Sequence, residues 1–73
     1  MYTTSEIPIA AYLRMKGVKL LSATADQNGK FVFKFDDPGN VCDMLAIEFL
    51  NSDFSTFDAH LKTLKKMVYT KTR

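Results

Sequence analysis

The chain has 73 residues, a formal net charge of +2, 47% hydrophobic residues, one cysteine and one histidine. That allows a single small α+β domain, residues 1–73, with a marginal core, and it excludes an intrachain disulfide or a structural zinc site of the usual Cys/His kind. The opening MYTTSEIPIAAYL lacks the basic region of a signal peptide, and no run approaches the ~20 apolar residues that span a bilayer, so we expect a cytoplasmic protein whose lone thiol stays reduced.

TTSEIPIAAYLRMKG (3–17) predicts a first helix. Thr4 or Ser5 can cap it, and Glu6 suits the positive end of the dipole. Pro8 is tolerated in the first turn, where amides have no intrahelical acceptor. Ile9, Ala10, Leu13 and Met15 form the core stripe, Arg14 and Lys16 lie at the negative end, and Gly17 is the natural residue to end the helix in a left-handed conformation.

VKLLSATAD (18–26) and KFVFKFDD (30–37) read as two strands joined by QNG. A two-residue Asn28-Gly29 turn would mix the faces. A three-residue loop puts Asp26 opposite Lys30, Ala25 opposite Phe31, Ala23 opposite Phe33 and Leu21 opposite Phe35, all six apolar residues on one face. The sequence therefore predicts a type I turn with Gly29 as a left-handed bulge.

DDPGNVCDMLAIEFLNS (36–52) begins a second helix, capped by Asp37 before Pro38 or by Asn40. Val41, Cys42, Leu45, Ile47 and Phe49 supply its apolar side, with Asp43 and Glu48 pointing away. STFDAHLKTLKKMVYTKTR (55–73) is the cleanest helix. Ser55 and Asp58 approximate a capping box, Phe54 can staple back onto the helix, and Phe57, Leu61, Leu64 and Val68 recur as a core-facing stripe. The order is α-β-β-α-α, an antiparallel hairpin covered by three helices in two layers.

The alternating Phe31, Phe33 and Phe35 resemble at first sight the base-stacking aromatics of RNA-recognition strands. The glycine precedes the lysine instead of following it, however, and burying each ring contributes about 1.5–3 kcal/mol that a short chain needs. We expect all three in the core, leaving Ser22, Thr24, Lys30, Val32 and Lys34 on the wet face.

Candidate sites are few. His60 has no metal ligand or catalytic partner four residues to either side, Cys42 reads as a small buried hydrophobe, and the three glycines are too isolated for a phosphate loop. No catalytic residue, metal site or cofactor is expected, and the chain does not read as an enzyme. Charge is segregated: residues 36–58 hold six acids and no lysine or arginine, whereas 62–73 hold five cations and no acid. Lys62, Lys65, Lys66, Lys71 and Arg73 with Tyr69 are the candidate nucleic-acid contact, with Lys30 and Lys34 as helpers. The same lysines also complement the helix dipole and keep the chain soluble, which is the preferred reading. Tyr12, Met15, Asp43 and Glu48 are the candidate protein contact, because the surplus tyrosines and methionines do not all fit one core.

The pattern YTTSEIPIAAYLRMKGVKLLSAT, then FVFKFDDP, then LNSDFSTFDAHLKTLKKMVY, resembles a family of small bacterial and phage domains of unknown function. Its members look like a helix ending AAYL…KG, a hairpin ending in an aromatic-rich strand, and a closing helix rich in leucine and lysine. The resemblance covers nearly the whole chain. It implies a stand-alone domain often carried by mobile elements, and it carries over no binding or catalytic residue. The expected function is a protein-binding module, acting on a host protein or as a homodimer, with nucleic-acid binding through the basic last helix as the alternative and no membrane or metal partner.

Overall fold

The computed structural model describes residues 1–71, the last of them by its backbone. The chain runs β1 (Tyr2–Thr4), α1 (Ile7–Met15), β2 (Lys19–Ala25), β3 (Phe31–Asp36), α2 (Cys42–Leu50) and α3 (Asp53–Lys71). It is the expected α+β class with one strand more than expected. The sheet is antiparallel in the order β1-β3-β2, with Tyr2, Thr3 and Thr4 opposite Phe35, Lys34 and Phe33. A bare hairpin is marginal in water. β1 covers its open edge and makes the phenylalanine-rich β3 the central strand.

That strand also corrects the expected cap. Thr4 belongs to the sheet, and neither it nor Ser5 caps α1; Glu6 occupies the cap position without a side-chain bond. Thr4 Oγ1 instead accepts from the Glu6 amide at 3.1 Å, which turns the chain from strand to helix. Pro8 sits in the first turn as expected. Gly17, at φ +91°, ends the helix, with the Gly17 amide donating to the Arg14 carbonyl and the Val18 amide to that of Leu13, both at 3.0 Å.

The hairpin loop has three residues. The Asp26 amide donates to the Lys30 carbonyl at 2.8 Å, and Gly29 stands at φ +80°. Ala25 lies opposite Phe31 and Ala23 opposite Phe33, as the turn predicts. The expected pairing of Leu21 with Phe35 does not occur: a bulge between Leu20 and Ser22 places Leu20 there. The start of β2 is tied to the end of α1 through Val18, and the extra residue reconciles that anchor with the register fixed at the turn. It reverses the alternation, so Val18 and Leu20 join the core while Leu21 is exposed.

The core holds Ala10, Leu13, Phe35 and Cys42, flanked by Tyr2, Ile9, Val18, Leu20, Phe33 and Leu45. Phe35 and Leu13 are fully buried. The expectation that all three phenylalanines are core fails at Phe31, which is 55% exposed. It is the residue of β3 nearest the turn, and the core gathers at the strand's other end. Met15, expected in the α1 stripe, is exposed as well.

α2 begins at Cys42. The Asp37 carboxylate caps it from a distance, accepting from the amides of Val41 at 2.9 Å and Cys42 at 3.2 Å. Asn40, the other candidate cap, instead takes the left-handed turn at φ +52°. Cys42 and Phe49 are buried, whereas Val41 and Ile47 face outward, against expectation. α3 begins at Asp53, so Ser55 lies inside the helix and is not its cap.

The largest departure concerns the α3 stripe. Phe57 is 67% exposed, Leu64 57% and Val68 59%, and Leu61 is the most covered at 38%. The 19 residues of α3 span ~28 Å. They outrun the nine-residue α2, their main support. The radius of gyration is 14.1 Å, against roughly 11 Å for a compact chain of this length.

Replacing Phe35 should therefore be decisive and replacing Phe31 should not. Phe35→Ala is expected to cost about 3–5 kcal/mol, comparable to the whole stability of a chain this size. Phe31→Ala should cost about 1 kcal/mol or less. Urea unfolding followed by circular dichroism reads both.

Candidate functional site

Tyr12 and Glu48, expected at a protein contact, are occupied inside the chain. Tyr12 is buried, with its ring 5.6 Å from that of Phe49 and 5.8 Å from that of Phe54, both tilted. Its hydroxyl donates to Glu48 Oε2. Lys16 Nζ lies 3.4 Å from the same oxygen and 5.3 Å from the Tyr12 ring centre. Glu48 therefore does not point away; it ties α2 to α1. The phenol and the lysine donate to it and hold its carboxyl below the ordinary range. The reciprocal hydrogen bond to Glu48, followed by burial, raises the Tyr12 phenol, and the bond to Glu48 raises Lys16. Phe54, inside the first turn of α3, meets Tyr12 of α1.

Beside this knot, α1 and α3 leave a groove of about 490 Å³. Ile7, Ala11 and Met15 line one wall, Phe57 and Leu61 the other, and Tyr12, Phe49 and Phe54 also contribute. Glu6, Asp58, Lys62 and Lys65 supply its charged groups. The stripe continues along α3 past the groove to Leu64 and Val68. The sequence signal for the α1 wall was available: Ile7, Ala11 and Met15 recur every fourth residue, a second apolar row beside the one that enters the core. Of the expected protein contacts, Met15 is at this groove, whereas Asp43 is exposed near the start of α2.

The described residues of the expected nucleic-acid contact lie on two elements, α3 and the hairpin. Lys62 pairs with Asp58 at 3.1 Å. Lys65 lines the groove beside it, and Lys66 and Tyr69 are exposed on α3. Lys30 and Lys34 are exposed on the hairpin, a different element. The Lys71 side chain and Arg73 lie outside the described residues. Burial pushes the Cys42 thiol up to about 11, with the Asp37 charge acting in the same direction, which leaves little thiolate at neutral pH. His60 is exposed on α3. Among the described residues no His, Cys, Asp and Glu side chains form a group able to hold a metal, and no helix is long and apolar enough to cross a membrane.

The sequence matches a family model described as a domain of unknown function (DUF5659) over residues 1–70. The chain belongs to the DUF5659 family. The match bears out the resemblance to a family of unknown function and runs from β1 through all but the last residue of α3. No curated protein and no solved structure matches the chain.

The knot makes stability depend on pH in two windows. Glu48 stabilises the fold above its ordinary value of 4.5, and that contribution is lost as pH falls through the lower folded value. Tyr12 stabilises it below 10.0, and the contribution is lost as pH rises through its raised folded value. Glu48→Gln should lower the melting temperature at neutral pH and flatten its fall in acid. A remaining acid slope is expected from Asp37: burial opposes its charge, but the Val41 and Cys42 amides outweigh this and hold it below 3.8. Tyr12→Phe should flatten the alkaline limb. Thermal melts from pH 2 to pH 11 test all three.

Proposed function

We propose that this chain is a non-enzymatic protein-binding module whose contact surface is the apolar stripe of α3 together with the α1 wall of the groove. The observation that carries this reading is the exposure of Phe57, Leu61, Leu64 and Val68 in one helical row. A contiguous apolar surface on a small domain marks a protein contact, because exposing it to water is costly and core packing did not claim it. The polar groups around the groove support binding over catalysis: Asp58 and Lys62 neutralise each other, and Tyr12, Lys16 and Glu48 are spent on joining α1 to α2. On this reading the protein is an accessory module in the cytoplasm, in keeping with the phage or mobile-element setting that the resemblance implied.

A photo-crosslinking residue in place of Leu64, with the same residue in place of Thr63 as control, tests the surface in cells that express the protein. Position 64 should give a discrete protein adduct and position 63 little or none. Loss of the position-64 adduct on nuclease treatment would shift the reading to nucleic acid held by Lys65 and Lys66, and no adduct at position 64 would remove the surface.

A further inference from the structure

We infer that the α3 stripe is occupied by the α3 of a second copy of this chain, running antiparallel. This rests on the protein-binding reading and names its partner.

The spacing of the stripe sets the pairing mode. Phe54, Phe57, Leu61, Leu64 and Val68 alternate steps of three and four, the a and d positions of a two-stranded helical seam. Phe57 through Val68 are exposed along this line, while Phe54 leans on Tyr12 at its start. The seam is short, and α1 widens it. A partner helix lying along Phe57 and Leu61 also meets Ile7 and Met15 across the groove, both more than half exposed at 67% and 58%. These two with Phe57, Leu61, Leu64 and Val68, at roughly 100 Å² each and with the polar groups beside them, approach the ~800 Å² that one partner contributes to a stable interface. The chain also needs the burial. Its fully or nearly buried apolar residues are Ala10, Tyr12, Leu13, Phe35, Cys42 and Phe49, and a second copy is one of the established ways in which chains this short complete a core.

Charge chooses the direction. The positions flanking the seam are Asp53, His60 and Met67 on one side and Asp58 and Lys65 on the other. In a parallel pair, Asp53 of each copy faces Asp58 of the other, and His60 faces Lys65, so no attractive pair forms. In an antiparallel pair with Leu61 against Leu64 of the partner subunit, Asp58, whose Oδ2 pairs with Lys62 of its own helix at 3.1 Å, also faces the partner's Lys65, and by symmetry the reverse pair forms too. Like charges placed together select against the wrong arrangement as effectively as opposite charges select the right one. The same two-fold arrangement brings the acidic start of each α3 to the basic end of the other.

Sedimentation equilibrium of the full chain is the test, with variants that separate self-association from folding. The wild type should sediment as a concentration-dependent dimer. Leu61→Asp should be a monomer, with its folded state checked by circular dichroism. Asp58→Lys and Lys65→Asp should each weaken the dimer about tenfold, as two attractive pairs become two repulsive ones. Combining them should restore affinity to within about threefold of wild type. These two residues lie outside the core, so the swap stays informative if Leu61→Asp fails to fold. A wild type that stays monomeric at millimolar concentration overturns the inference. A dimer that ignores the charge swaps overturns the antiparallel register. A monomer whose position-64 crosslink joins a different protein sinks self-pairing while leaving the protein-binding reading intact.

Discussion

The structure depends on burying Phe35 at the centre of a three-stranded sheet. Tyr2 lies opposite it on one side and Leu20 on the other, and it belongs to one cluster with Leu13 of α1 and Cys42 of α2. Each irregular feature nearby serves that placement. β1 gives β3 a second hydrogen-bonded neighbour. The bulge in β2 turns Leu20 toward Phe35. The Asp37 carboxylate, two residues past Phe35, caps α2 and brings Cys42 down on the core. In a chain this short a single fully buried aromatic is a large fraction of the available hydrophobic stabilisation, so the local geometry yields to it.

The consequence is felt at the other end of the molecule. Once α1, α2 and the strand end have closed over Phe35, little core surface remains for α3. Its ring contact with α1 is at its first turn, where Phe54 meets Tyr12, just after Ser52 Oγ closes the end of α2 by donating to the Phe49 carbonyl at 2.6 Å. Beyond that the helix continues with its apolar row uncovered. A helix that draws its stability from packing on one face thus has Phe57, Leu64 and Val68 more than half exposed along that face.

Most of the local structure was legible in the sequence, for identifiable reasons. The QNG turn has a mechanism in Gly29 and in Asp26, and its register held for Ala25 and Ala23. Gly17 and Pro8 placed the ends of α1. The failures share a cause: periodicity shows that a face is apolar, not what covers it. Phe57, Leu61, Leu64 and Val68 carry the pattern of a core stripe whether the covering surface belongs to this chain or to another. Phe31 fails likewise, since alternation says which face it shares but not how far the helices reach. β1 escaped because Tyr2–Thr4 is too short to show a period, and because Thr4 and Ser5 next to Glu6 and Pro8 carry the composition of a helix cap. Tyr12 and Glu48 were read as surface because their hydrogen bond joins residues far apart in sequence.

The segregation of charge along the chain gains a structural meaning from the same helix. Read linearly, acids from 36 to 58 and cations from 62 to 73 suggest two patches, one of which meets a partner. In the fold the boundary falls within the first half of α3, with Asp53 and Asp58 toward its start and Lys62, Lys65 and Lys66 beyond. That distribution complements the helix dipole, negative groups near the N-terminus and positive ones toward the C-terminus. It also gives the helix two charged ends of opposite sign either side of an apolar row. Under the inferred antiparallel pairing, a two-fold rotation sets the acidic start of one α3 against the basic end of the other. In that pairing, the lysines that most resemble a phosphate site are half of a self-matching pattern, in which the apolar row supplies affinity and the charges fix direction.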